Sequence, residues 1–450
     1  MARSRSLRCV VLLALFYGTA LGSRASLAQE AGDLQGSIDD GSDPDVALPS
    51  PPPPIFSALP DDQPKPKAKP KDPSPYDPIG IRAGVFILLP RLEIGAQSRS
   101  NVRQVATNPQ GDVALLLKPS LGFASDWSRH SLSGNLTGQW LRYGTVDDLS
   151  SFTGSADVDF RLDVRRDRVA EFKADTAVTQ TGLGTSSLPA GAVSPRTDQA
   201  SNFSASLAND LGGAVITSKI ALARNSYGDV ALSGGGVESN ADLNYYEPSL
   251  SLRGSLGQKG SRLMPFAEIT YAPRTHEQAV DRNGIDRNSQ GGTLSVGLTL
   301  DDGPIWTGEM AVTGDYRHYA DPSLSDSVAF GLNGKLVWSP TPLDTATFFT
   351  SLAQTETSTL GLSASKQWLA GVEISHSLTD NFQLLANAQL ALTDNGTGFE
   401  KTATLGGGFQ YALNRDVAVK FTGQQTWFVD GPGLVGYSDQ SLIASIILQR

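Results

Sequence analysis

The chain has 450 residues, 39% of them hydrophobic and 8% aromatic, with a mean hydropathy of −0.18. No run of 18 apolar residues occurs, which excludes a helical membrane protein but not a β-barrel, whose membrane face lies in alternate residues. The net charge of −10 argues against nucleic acid as a partner.

Residues 1–28 have the layout of a secretory signal. Arg3, Arg5 and Arg8 form a basic start, Cys9 to Tyr17 an apolar core, and Ser26-Leu27-Ala28 a small-residue cleavage site. Cys9 is the single cysteine and leaves with the signal, so the mature chain needs no disulfide chemistry. Residues 29–80 read as a linker, first acidic (Asp39, Asp40, Asp43, Asp45), then Pro51 to Pro54, then Pro64 to Lys71 with alternating lysines. Such a composition buries no core and is expected to be disordered and extended. Two roles fit it: a solvated periplasmic spacer, or a docking arm for a periplasmic or cell-wall partner.

From Ile81 to Arg450 an alternating pattern recurs. It is plainest at Trp368–Leu392, where Trp368, Ala370, Val372 and Ile374, then Phe382, Leu384, Ala386, Ala388, Leu390 and Leu392, share one face. Gln367, Glu373, Ser375, Gln383, Asn387 and Gln389 take the other, and Thr379-Asp380-Asn381 supplies the turn. Each strand is expected to run about ten residues, the length that crosses a bilayer when tilted. About eighteen such strands are expected. They run from Phe86–Gln97 and Gly111–Ser125 through Lys366–Leu378 and Phe382–Thr393 to Val417–Val429 and Gln440–Leu448. The expected fold is all-β: a transmembrane, antiparallel, up-and-down barrel behind a disordered Pro-rich segment.

Loop lengths support the barrel. Links after even strands are short, as at Arg165–Asp167 and Asn414–Asp416, and those after odd strands are mostly longer, as at Thr181–Asp198 and Thr275–Asn288. Outer-membrane barrels have short periplasmic turns and longer outside loops, which places both termini in the periplasm. The tryptophans sort the same way. Trp127, Trp306 and Trp338 fall at short-turn ends, and Trp140, Trp368 and Trp427 near loop ends, as expected of two belts at the lipid interfaces.

Asp77-Pro78-Ile79-Gly80-Ile81-Arg82-Ala83-Gly84-Val85-Phe86-Ile87-Leu88-Leu89-Pro90 resembles the entry segment of the putative beta-barrel porin 2 family of Gram-negative outer membranes. Trp338 to Thr345, Tyr411 to Asp416 and the ending Leu448-Gln449-Arg450 are similar to it as well, so the resemblance covers roughly Tyr76 to Arg450. It implies an outer-membrane location, contact with lipid and with the barrel assembly machinery, and porin-like passage; it brings no catalytic residues. A terminal aromatic is usual for assembly, and here Leu448 is the nearest stand-in.

On the wet face, Arg91, Arg161, Lys173, Arg317, Lys335 and Lys420 are basic, and Glu93, Asp157, Asp159, Asp163, Glu171, Asp175, Glu309, Asp315 and Glu373 acidic. Pairing across strands would simply hold the wall. Unpaired, the charges would filter solutes, the acidic excess favouring cations. The loop Thr181–Asp198, read as the longest, is the candidate constriction, with Arg196 near its narrowest point and able to pair with wall acids. Enzyme readings are poor: the histidines are His130, His276, His318 and His376, and Ser375 and His376 point to opposite faces. No cofactor is implied, and no ligand cluster suggests a metal. The leading expectation is passive diffusion of small hydrophilic solutes. The alternative is a structural or export-accessory barrel, for polysaccharide secretion or as a cell-wall tether, docking through the Pro-rich arm.

Overall fold

The computed structural model describes residues 75–450 except 186, 190, 259, 304, 356–361, 395, 397 and 430–434. The expected signal and all but the last residues of the expected linker lie outside the described residues. The strands are β1 Ile81–Ala83, β2 Phe86–Arg99, β3 Asp112–Ser125, β4 Ser131–Tyr143, β5 Ser151–Arg165, β6 Arg168–Thr181, β7 Arg196–Asp210, β8 Ala214–Tyr227, β9 Val230–Ala231, β10 Val237–Glu238, β11 Tyr245–Leu256, β12 Leu263–His276, β13 Ser289–Asp302, β14 Trp306–Tyr319, β15 Ser327–Thr341, β16 Asp344–Thr355, β17 Ser365–Thr379, β18 Phe382–Asp394, β19 Phe399–Ala412, β20 Val417–Val429 and β21 Tyr437–Gln449. Strands β2–β8 and β11–β21 form a closed antiparallel barrel of 18 strands. Each pairs with its neighbours in chain order, and β2 pairs with β21 to close the wall.

Period-two sequence makes these strands and sets which face each residue takes. On β12, Leu263, Ala267, Ile269 and Tyr271 are exposed, while Phe266, Glu268, Thr270, Ala272 and Arg274 between them are buried. The apolar set faces outward to lipid, and the buried set, largely polar, lines the interior. Barrel strands run 12 to 15 residues rather than about ten. Roughly 9–11 residues cross the hydrocarbon, so the remainder extends the wall beyond it.

The short turns are built from local polar chemistry. Asn414 accepts the amides of Asp416 and Val417 at 2.8 and 2.9 Å, and Asp210 accepts that of Gly212, which sits at φ +82° where a side chain would be strained. At the opposite end the loops are longer. The stretch 228–244, holding β9 and β10, exceeds the 182–195 loop, so the latter is not the longest. Ala241–Leu243 forms a 3-10 turn ahead of β11.

The closing seam joins the two ends of the chain. Arg91 to Arg99 of β2 pair with Gln449 to Ser441 of β21, while the lower residues of β2 pair with β1. Arg99 bonds Asp439 at 2.9 Å, Gln97 bonds Ser441 at 2.9 Å, and Ser445 donates to Glu93 at 2.5 Å, all buried.

Candidate functional site

The interior wall carries three groups of charges. On β5 and β6 the register sets Arg161 opposite Glu171, Asp159 opposite Lys173 and Asp157 opposite Asp175. Arg161 reaches Glu171 at 2.9 Å and Asp163 at 3.2 Å, and Lys173 lies 3.8 Å from Asp159. The Asp157–Asp175 rung is different: two buried carboxyls face each other, and Asn202 donates to Asp175 at 3.2 Å. Like charges directly opposed on a sheet are unfavourable, so this rung differs from the oppositely charged rungs beside it.

The second group spans β11 to β14. Arg253 grips Glu309 through both terminal nitrogens at 2.9 and 2.6 Å, lies 3.7 Å from Glu268 and stacks on Phe266. Thr299 donates to Glu309 at 2.8 Å. Nearer the loop end, Glu247 accepts from Arg274 at 2.8 Å and from Arg317 at 2.9 Å, and Thr293 donates to Asp315 at 2.6 Å. Glu309, Asp315 and Arg317 share the inner face of β14, and all are buried. The third group lies at the seam, where half-buried Arg91 stands 3.9 Å from buried Glu93 and Lys420 is buried on the inner face of β20; Glu373 is buried on the inner face of β17, away from the seam.

The 182–195 loop turns into the mouth. Leu183 packs against an inward-facing cluster of Val102, Leu116, Leu141, Tyr143, Val146 and Leu149, together with Ile443. The Gly184 amide donates to Gln104 at 2.9 Å, and Gly184 lies against the Tyr437 ring. Four strands separate β6 from β21, about 24 Å along the wall at normal strand spacing, so the loop reaches over part of the opening. Its other limb is tied to the 228–244 loop: Val193 donates to Ala231 at 2.9 Å, and Ser233 to Gly191 at 2.8 Å.

Arg196 and Asp198 belong to β7 rather than to the loop. Arg196 bonds both Asp198 oxygens at 2.7 and 3.0 Å and the Ser187 carbonyl at 3.0 Å, and lies over Tyr227. The expected pairing with wall acids is corrected. Arg196 is opposite Thr181 and Asp175 is opposite Asn202, six residues or about 20 Å along the strand.

A polar cap of loops stands beyond the mouth. Arg282 bonds Asp242, Asn240 and Glu238, and buried Arg287 bonds Asp281 at 2.6 Å. Burial alone would raise the Asp281 carboxyl; bonds from Arg287 and from the Ile285 and Asn283 amides outweigh it and hold its pKa below the ordinary 3.8. A depressed carboxyl stabilises the fold above its ordinary value and loses that contribution as pH falls through the lowered one. Hydrogen-exchange protection of 277–288 is therefore expected to hold at neutral pH and to fall well below pH 3.8. Protection that falls already between pH 7 and 5 would show that other groups hold the loop.

On the outer face, aromatic side chains meet near both ends of the strands. Trp306 stacks on Trp338 at 5.8 Å and Trp127 meets Phe86 at 5.9 Å at the short-turn end. Trp140 meets Phe152 at 4.7 Å and Trp368 meets Phe399 at 6.3 Å toward the loop end, where Trp427 is also exposed. Among the described residues no group of three or more His, Cys, Asp or Glu could hold a metal ion.

The family model described as Putative beta-barrel porin 2 matches residues 74–450. The chain belongs to that family. This porin-family barrel is an outer-membrane β-barrel. No curated protein matches its sequence. Among solved structures it is similar to the outer membrane channel DcaP of Acinetobacter baumannii, at 10% identity and TM-score 0.38, covering 82% of this chain and 99% of that one. It is also similar to the ferric-catecholate import receptor Fiu of E. coli K12, at 10% identity and TM-score 0.35, covering 80% and 81%. Likeness at that level carries nothing about solute.

Sequence reading of the porin-family barrel missed Arg253, Glu247, Glu268 and Arg274, and the Arg99–Asp439 pair. The signal was present on β11, where Glu247, Ser251, Arg253 and Ser255 alternate with exposed Leu250, Leu252 and Leu256.

Proposed function

We propose that this porin-family barrel is a passive diffusion channel for small hydrophilic solutes, with a weak preference for cations. The observation that carries the reading is a closed 18-stranded barrel whose inner face is polar and charged, with a mouth narrowed by the 182–195 loop. Opposite charges are paired along much of the wall, and the Asp157–Asp175 rung sets two carboxyls side by side on the inner face, which favours cations. The short turns face the periplasm and the 182–195 and 228–244 loops face outside. A signal peptide, a Gram-negative source and passage through the barrel assembly machinery follow from the same reading. It assigns no catalysis and no cofactor.

Conductance of the purified chain in a planar bilayer is the deciding measurement. Discrete steps at neutral pH support the channel. A silent barrel with normal heat-modifiable migration would favour the export-accessory or structural reading, which the near-complete burial of Arg253, Arg274 and Arg317 also supports.

Replacing Asp157 and Asp175 together by Asn is expected to shift the reversal potential in a salt gradient toward that of an unselective pore. An unchanged potential removes these residues from selectivity. For orientation, single cysteines are placed at Gly234, whose added side chain meets nothing within 4 Å, and at exposed Asp416. Intact cells should label the first with an impermeant maleimide and spare the second; the reverse pattern inverts the barrel.

A further inference from the structure

Among the described residues the junction between β15 and β16 is open at its loop end, whereas those of β3–β4 and β11–β12 are interrupted only within the ladder. Strands β15 and β16 are laddered from Thr341–Asp344 up to Gly334–Thr350 and no further. Above that point Ser327 to Asn333 remain laddered to β14 on one side only, and Ser351 to Thr355 remain laddered to β17. A row of backbone groups normally orphaned at an open edge is taken up instead by side chains. The Phe330 carbonyl accepts from the Trp368 indole at 3.3 Å, the Leu332 carbonyl from Thr350 Oγ1 at 3.2 Å, and the Leu352 amide donates to Asn333 Oδ1 at 2.7 Å. Leu352 stands opposite Trp368 and so shares its outward face, yet it is fully buried, filling the gap against Gly331.

Behind this gap the inner wall changes character. Leu369 and Ala391 stand opposite each other on β17 and β18, Phe349 and Ala353 of β16 lie diagonal to Leu369 on either side of Ser351, and Val337 lies diagonal to Phe349; the five apolar side chains are all buried on the lumen side. The apolar lipid phase outside and an apolar patch inside thus meet at a seam closed by one leucine and three side-chain hydrogen bonds.

We infer that this seam is a lateral passage between the lumen and the membrane for a single-chain amphiphile such as a long-chain fatty acid. Its alkyl chain lies on the patch of Phe349, Leu369 and Ala391 and leaves or enters past Leu352, and its carboxylate stays in the polar lumen. A chain entering between separated strands displaces apolar contacts with apolar contacts, whereas passage across a fully laddered junction would break backbone hydrogen bonds in lipid.

The test uses the full chain in phosphatidylcholine liposomes and a diazirine-bearing palmitate. Residue-resolved mass spectrometry compares inward Phe349, Leu369 and Ala391 with outward Phe348, Ala370 and Leu390. A Cβ added at Gly331 lies 2.5 Å from that of Leu352, so Gly331→Cys with Leu352→Cys needs only about an ångström of adjustment to form a disulfide across the seam. Photolabel is expected on both faces in the reduced protein. Oxidation should abolish the inward label alone, reduction should restore it, and the behaviour of the pore toward potassium should be unchanged. Inward label that survives the lock would route the palmitate through the mouth and overturn the proposal. Inward label absent from the reduced protein, with a dimer that the lock abolishes, would assign the open edge to strand addition between copies. Should the paired cysteines fail to fold, Leu369→Asn gives a second reading: loss of inward label with Phe348 still labelled supports the passage, and unchanged inward label rejects it.

Discussion

Deleting residues 184–194 and rejoining the strands raises single-channel conductance about twofold and admits larger sugars in liposome swelling, because ion and solute flux are set at the narrowest section. The loop lies across the mouth, held on one side by Gln104, Tyr437 and the Leu183 cluster, and on the other by the 228–244 loop. Loosening one limb leaves the other tied down, so Leu183→Ser is expected to add current noise with little change in mean conductance. Equal conductance in the deletion variant would place the constriction deeper, at the arginine layers of β11–β14.

Those layers give the second large effect. Arg253→Ala is expected to cost about 3–5 kcal/mol of unfolding free energy, because Glu309 is left buried without its two-pronged partner. Urea unfolding in detergent, followed by tryptophan fluorescence, measures it. Glu309→Leu alone should cost a similar amount, and Arg253→Met with Glu309→Leu should recover more than half, since the double variant leaves no lone charge. A loss below about 1 kcal/mol for Arg253→Ala would mean that water reaches the pair and screens it.

The architecture was legible in the sequence because barrel geometry is written residue by residue. Alternation at Trp368–Leu392 gave β17 and β18 within one or two residues, and turn chemistry such as Asn414-Arg415-Asp416 marked the reversals. Strand ends were less legible. Arg196–Asp198 and Ser289–Gln290 have the composition of a loop, and pairing with an existing neighbour draws them into β7 and β13. The partners of charges were legible only between adjacent strands. Arg161 and Glu171 come from one hairpin, whereas Arg253 reaches over two strands to Glu309, a distance set by barrel curvature that no local pattern carries. The open junction at β15–β16 left only faint marks, Gly331 and Gly334 in one strand.

The seam between β2 and β21 has a bearing on how the barrel is made. Its bonds join residues 340 to 352 apart in sequence, so closure is the most non-local step in the molecule. The entropy of that loop is lost before the seam returns any stabilisation, which makes closure late and slow. Until the thirteen residues of β21 arrive, β2 presents one bare edge and β20 the other. A chain truncated before Tyr437 therefore carries two adhesive edges rather than one defect, and is expected to be held by chaperones or cleared instead of inserting as a slightly smaller barrel. Glu93, Gln97 and Arg99 act in this sense as a completion check: their partners Ser445, Ser441 and Asp439 are present only once β21 has been made.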